Sequence, residues 1–218
     1  MHGLRLALTI MVASFAVGAA PMPPEEACGP AIQRAEQARQ TAPGLLAAIG
    51  LVESGRMDRR AGRRVAWPWT VTADGVGTFY PTKAAAIQAA QALQARGITS
   101  IDVGCMQVNL LAHPAAFRTL EEAFDPAANA VYAARFLTSL YTRLGTWPAA
   151  AAGYHSLTPQ LGAKYGQLIT AVWSGAPVPV MALPGGAEVV TFPGGGQMRL
   201  VRDAVEGGGR VIGSLSGP

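Results

Sequence analysis

Charge and aromatic rings are both scarce in this chain. Asp, Glu, Lys and Arg make up 14% of its 218 residues, and Phe, Trp and Tyr 7%. There is no basic run interleaved with aromatics, so nucleic acid is not expected as a partner. Cysteine is almost missing: Cys28 and Cys105 are the only two. They lie far apart, and neither has a histidine at ligand spacing, so no metal site is expected. Beyond the N-terminus, no apolar run approaches the roughly 20 residues of a helical bilayer crossing.

What is present begins with a short apolar stretch. His2 and Arg5 precede Leu6 to Val17, and small residues follow at Gly18, Ala19 and Ala20. This is the order of a secretory signal peptide, with cleavage expected near Ala19 or Ala20. An uncleaved anchor is the alternative. Export would carry the chain to an oxidising compartment, the periplasm, with no stable membrane span after cleavage. There Cys28 and Cys105 are expected to join as a disulfide; two separate buried thiols are the other reading. The net charge of +4 makes the chain modestly basic.

Three segments follow from the patterning: residues 1–20 as the signal, 21–176 as a folded domain, and 177–218 as a tail. The domain reads as mainly α (α+β), helical with a small β-hairpin insertion. Ala31 to Gln40 is expected as a helix with Pro30 at its first position. Pro43 opens a second, in which Leu45, Leu46, Ile49 and Val52 recur at helical spacing, and Gly55 ends it. Trp69 to Tyr80 reads as a hairpin about Asp74-Gly75. Thr82 caps a helix to about Arg96, closed by Gly97, and Ile98 to Val103 is a short strand. Asp125-Pro126 starts a helix that reaches Leu144 and stops at Gly145. Apolar almost all round, it belongs in the core. Two more helices begin at Pro148 and after Thr158-Pro159, the latter carrying Leu161, Leu168 and Val172. The tail holds Pro184-Gly185-Gly186, Pro193 to Gly196 and Gly207 to Gly209. Such a composition cannot easily bury enough apolar surface to order itself, so a flexible tail is expected. Docking of Val189-Val190 and Leu200-Val201, or their folding as weak strands, is the alternative.

One residue breaks the pattern. Glu53 lies four residues after Ile49 and seven after Leu46, on the apolar face of its helix. A carboxyl there loses water, which raises its pKa and lets it hold a proton near neutral pH, as a glycosidic acid must. A half-exposed Glu paired with a neighbour such as Arg56 is the plainer alternative.

Four features in order add to this. Glu53-Ser54 after an apolar helix resembles the catalytic Glu-Ser of the soluble lytic transglycosylase family, within the lysozyme-like superfamily. Gly104-Cys105-Met106-Gln107-Val108-Asn109 is similar to that family's Gly-Leu-Met-Gln motif. Phe124-Asp125-Pro126 with Asn129, Ala133 and Phe136-Leu137 fits its Asp-Pro helix, and Ala151-Ala152-Gly153-Tyr154-His155 its Ala-Tyr-Asn motif. The resemblance spans roughly Cys28 to Trp173.

That resemblance implies a lysozyme-like fold, no cofactor, and peptidoglycan glycan strands as the partner, whose anionic character the positive charge would favour. It implies Glu53 as the acid and later the base, and Ser54 orienting the carboxyl or touching substrate. Gly104, Met106 and Gln107 would line the sugar groove beside Asn109, and Tyr154 would hydrogen-bond near the acid and help place the muramyl residue. Cys105 replaces the usual Leu. His155 replaces the usual Asn and becomes either a new substrate contact or a loop histidine satisfied by its surroundings. Trp67, Trp69 and Tyr80 either wall the groove or pack in the core. No second acid sits in a motif; Asp58, Asp74 and Asp102 are merely near in sequence. The family works with one Glu and closes a 1,6-anhydro ring, so a lyase is expected. A water-using muramidase and a non-catalytic wall-binding assembly module are the alternatives. Size and tail suggest local wall opening for a flagellum or secretion apparatus, with such components as partners.

Overall fold

The structure is a computed structural model. It describes residues 22–178 and, beyond them, strands within residues 180–182, 188–191, 197–200 and 209–214. Residues 1–20, expected from the sequence to be a signal peptide, lie outside the described residues.

The first helix, α1 (Pro24–Arg39), begins six residues earlier than expected. Pro24, not Pro30, takes the first turn, and Glu25 and Glu26 place negative charge at the positive end of the helix dipole. Pro30 sits inside the helix, where its missing N–H leaves one helical bond unmade. The following helix, α2 (Leu45–Glu53), buries Leu45, Leu46, Ile49 and Val52 as its spacing predicts. Its N-terminus is capped from α1: Glu36 Oε1 accepts from the Leu46 N–H at 2.7 Å.

Two hairpins follow. The pair β1 (Gly55–Asp58) and β2 (Arg63–Ala66) had no clear sequence signal, since their turn carries no Asn-Gly or Asp-Gly pair. The second, β3 (Thr70–Ala73) and β4 (Val76–Phe79), turns at Asp74 and Gly75 as expected, with φ of 50° and 70°. The strands β5 (Ile101–Val103) and β6 (Val108–Asn109) extend that sheet from β3. Between β4 and β5, α3 (Lys83–Ala95) starts at Thr82, whose hydroxyl accepts from the Ala85 N–H.

The remaining helices are α4 (Leu120–Ala123), α5 (Pro126–Leu144), α6 (Trp147–His155) and α7 (Pro159–Trp173). Asp125 caps α5 by accepting from the Ala128 N–H at 2.8 Å, and Gly145 ends it in the left-handed region. The expectation that α5 is apolar all round needs correction. Ala130, Ala133, Ala134, Leu137 and Leu140 are buried, but Val131 and Tyr141 are exposed. The helix runs through the main core against α1 and α6 with one face outward. A second core joins Val71, Ile101 and Val103 of the sheet to Ala86 and Ala90 of α3 and to Phe124.

Cys28 and Cys105 are joined, with Cα atoms 5.8 Å apart. Four segments of the Pro- and Gly-rich tail are paired strands, where a flexible tail is the sequence expectation: β7 (Val180–Ala182), β8 (Glu188–Thr191), β9 (Gln197–Leu200) and β10 (Gly209–Ser214). Val189, Val190 and Leu200 lie in them. The physical reason is an open edge: β10 pairs antiparallel with β4, and the others follow in the order β10-β9-β8-β7. Among the described residues no helix is long and apolar enough to cross a membrane.

Candidate active site

Glu53 ends α2 at the floor of a cleft of about 840 Å³. Its carboxyl is partly buried, and the Tyr165 hydroxyl donates to its Oε1 at 2.6 Å. Burial pushes the Glu53 pKa up to about 8; the bond from Tyr165 works against that rise, and the Asp102 carboxyl adds to it. Near neutral pH the group therefore holds its proton.

A second carboxyl lines the same cleft. Asp102, on β5, is raised to about 6 by burial, opposed by the bond it accepts from Asn109 Nδ2 at 2.8 Å. Asp74 lines the cleft as well, from the β3–β4 turn, whereas Asp58 lies on the β1–β2 hairpin beside a different cavity. Aromatic rings also line the cleft. His113 packs edge-on against Tyr132 and Phe136, and Phe136 against Tyr154, with the Tyr132 hydroxyl 2.9 Å from His113 Nδ1. Among the described residues no Lys or Arg lines this cleft, although the Arg135 guanidinium lies 4.9 Å from the centroid of the Tyr132 ring.

The residues singled out by sequence divide into cleft and frame. Glu53, Gln107, Asn109, Tyr154 and His155 line the cleft. Ser54, Gly104 and Met106 do not. Ser54 is 1% exposed; its hydroxyl lies 2.6 Å from the Cys105 carbonyl, to which it donates, and accepts from the Trp67 N–H. It ties the end of α2 to the 104–107 loop instead of facing sugar. Met106 is wholly buried in the main core, because the loop turns it inward. Gly104 adopts φ 82°, and a Cβ there would lie 2.5 Å from Asn129 Nδ2. Asn129, wholly buried, ties the loop to its neighbours: Oδ1 accepts from the Met106 N–H, while Nδ2 donates to Val103 O at the end of β5 and to Ala123 O of α4.

That frame aims Gln107. Its backbone sits at φ 47°, and its side-chain amide donates to Gly104 O at 3.0 Å and Thr70 O at 3.2 Å while Thr72 Oγ1 donates to its Oε1. Tyr154 donates to Met106 O at 2.8 Å, so its hydroxyl supports the loop, and the hydrogen bond to the acid comes from Tyr165. His155 stands at the end of α6, not in a loop, and stacks on Tyr165 at 4.8 Å between ring centroids. Trp67 and Trp69 contact each other edge to face in the core, Trp67 Nε1 donates to Tyr80 O, and none of the three lines the cleft.

Sequence reasoning missed Tyr165. A signal was available: on α7 it shares a buried face with Leu168, Ile169 and Val172, and a tyrosine there needs a partner for its hydroxyl. Gly162 and Gly166, which pack against the backbone and Cβ of Ala152, bring α7 close enough for the bond to form.

Helices packed about a main core, an antiparallel sheet beside them and a cleft lined by a partly buried acid define a lysozyme-like protein. The Transglycosylase SLT domain family model matches residues 30–165, and the chain belongs to that family. Membership supports lytic transglycosylase activity on peptidoglycan in general. No curated protein and no solved structure matches the chain significantly. Among the described residues no group of His, Cys, Asp and Glu could hold a metal ion.

Proposed function

We propose that the protein cleaves the β-1,4 bond between N-acetylmuramic acid and N-acetylglucosamine in peptidoglycan, leaving 1,6-anhydro ends. The observation that carries this reading is the Glu53 carboxyl, protonated near neutral pH in a cleft that aromatic rings also line. Glu53 gives its proton to the glycosidic oxygen as the bond to C1 breaks, and the electron pair leaves with the N-acetylglucosamine hydroxyl. The muramyl N-acetyl group steadies the positive ring. The muramyl C6 hydroxyl then attacks C1 and returns its proton to the Glu53 carboxylate, so the acid is regenerated and no water is consumed. Tyr165 holds the carboxyl in place, and Gln107, Asn109, Tyr154 and His155 contact the sugars.

A hydrolytic muramidase is the second reading, favoured by Asp102 as a second carboxyl in the same cleft. Mass analysis of purified peptidoglycan digested by the wild type and by Glu53→Gln decides between them. Anhydro ends from the wild type and no turnover by the variant are expected; reducing ends would replace the lyase by a hydrolase. Wild-type clearing of cell walls by Glu53→Gln would overturn the assignment of the acid. We place the enzyme in the periplasm, on its N-terminal signal pattern and the Cys28–Cys105 bond, opening the wall locally for a flagellum or secretion apparatus. A tail-deleted form that recovers the same partners in a pull-down would count against recruitment through residues 177–218.

A further inference from the structure

The cations of this protein are unevenly placed. Arg56, Arg59, Arg60, Arg63 and Arg64 fall within nine residues, against the single carboxylate Asp58. Elsewhere between residues 22 and 178, eight Lys and Arg face nine Asp and Glu. The positive excess of the domain therefore sits on the β1–β2 hairpin. Arg59, Arg60 and Arg63 are exposed around its turn, and Asp58 accepts from the Arg60 backbone N–H at 2.9 Å. Arg56 lies flat on Trp67, 3.9 Å from the ring centroid, which anchors the base of the cluster. A small cavity of about 260 Å³ opens beside these residues and shares none of its lining with the large cleft; Glu25 borders it.

The cleft has the opposite character. Glu53, Asp74 and Asp102 line it, with no Lys or Arg among the described lining residues. Such a cleft suits the uncharged sugar backbone and gives a carboxylate no cation to pair with among its lining residues. Peptidoglycan carries its carboxylates on the stem peptides that branch from the muramyl residues, so a cationic partner for those groups has to come from outside the cleft. The hairpin begins two residues after Glu53, and at about 3.3 Å per residue its turn lies within roughly 20–25 Å of the acid. Arginine matches carboxylates through two parallel N–H bonds, and every cation here is arginine. None of the exposed large apolar side chains lies on the hairpin, so it has nothing to insert into a bilayer.

We propose that the β1–β2 hairpin is a docking site for the carboxylates of peptidoglycan stem peptides, holding the strand while the cleft takes its sugars. This rests on the reading of the protein as a peptidoglycan-cleaving enzyme.

The test compares the full-length protein with an Arg59→Gln/Arg60→Gln/Arg63→Gln variant. Co-sedimentation is measured with peptide-bearing wall and with amidase-stripped, peptide-free glycan at low and high salt. At low salt the variant should bind peptide-bearing wall roughly tenfold more weakly than the wild type. The difference should vanish at high salt, where exposed charges are screened. On stripped glycan the two should bind alike and be cleaved at the same rate. Equal binding to peptide-bearing wall overturns the proposal while normal cleavage leaves the enzymatic reading standing. Equal loss on stripped glycan also overturns it, because the hairpin would then serve the sugars. Arginine-dependent uptake by phosphatidylglycerol vesicles, with wall binding unchanged, would reassign the hairpin to a membrane surface. Failure of both proteins to cleave or bind either polymer removes the enzymatic reading with it.

Discussion

Glu53 owes its chemistry to a competition between burial and hydrogen bonding. Burial dominates and leaves its pKa near 8, while the bond from Tyr165 favours the ionised form and holds the rise in check. Removing that bond with Tyr165→Phe should raise the pKa further. The alkaline limb of the pH–rate profile, expected near pH 8 in the wild type, should move upward, and the rate should fall about tenfold as the carboxyl loses its anchor. The same shift has a stability consequence. Between the ordinary value of 4.5 and about 8, the folded chain keeps a proton that the unfolded chain releases. Stability from this group is therefore fully present below 4.5 and is lost as pH rises toward 8. Glu53→Gln, neutral at every pH, should leave the melting temperature nearly unchanged at pH 4 and stabilise by about 2 kcal/mol at pH 8, read from thermal melts at both. Glu53 was legible because a carboxyl on an apolar helical stripe is anomalous within nine residues of sequence. Tyr165, 112 residues away, looks like any core tyrosine until α7 is docked.

Among the elements, the loop 104–107 is the most tightly specified. Asn129 of α5 binds it from one side, Ser54 at the end of α2 from another, and Tyr154 of α6 from a third. Gly104 permits this with a left-handed backbone and no Cβ to meet Asn129. Gly104→Ala should destabilise by about 3 kcal/mol in a denaturant titration, from backbone strain plus displacement of a fully bonded amide. It should also depress cleavage beyond the loss of folded protein, because Gln107 takes its aim from the same loop. Helix ends were readable wherever a cap is a local device, as at Thr82, Asp125 and Gly145. The β1–β2 hairpin was not, since its strands lack strict alternation and its turn lacks a preferred pair. The start of α1 differs from the expectation because both Pro24 and Pro30 can open a helix; Glu25 and Glu26 in the first turn and the burial of Cys28 favour Pro24.

At the scale of the molecule, one covalent bond joins α1 to the loop that aims Gln107. The cysteines are 77 residues apart, so the bond restrains the unfolded chain strongly. Its reduction should cost about 4 kcal/mol on the chain-entropy account, seen as a shift in the denaturation midpoint with and without reductant. The second large-scale feature is the extension of the domain sheet by β10 across the edge of β4. The Pro- and Gly-rich composition favours a loose tail, with weak strands at Val189-Val190 and Leu200-Val201 only as the alternative, because what recruits a weak strand is an unpaired partner edge elsewhere in the chain.

The amino-acid order alone determined the helical periods, most of their ends, the Asp74-Gly75 hairpin, the placing of a carboxyl on an apolar face and the availability of one cysteine pair. All of these are set by interactions within a few residues or by composition. Only the tertiary structure decided that Tyr165 and not Tyr154 bonds the acid, that Ser54 and Met106 face inward, that the tryptophans leave the cleft, and that Asp102 shares it. Those outcomes depend on which buried polar groups meet across the packed core, a choice made by the docking of distant elements and invisible to any local pattern.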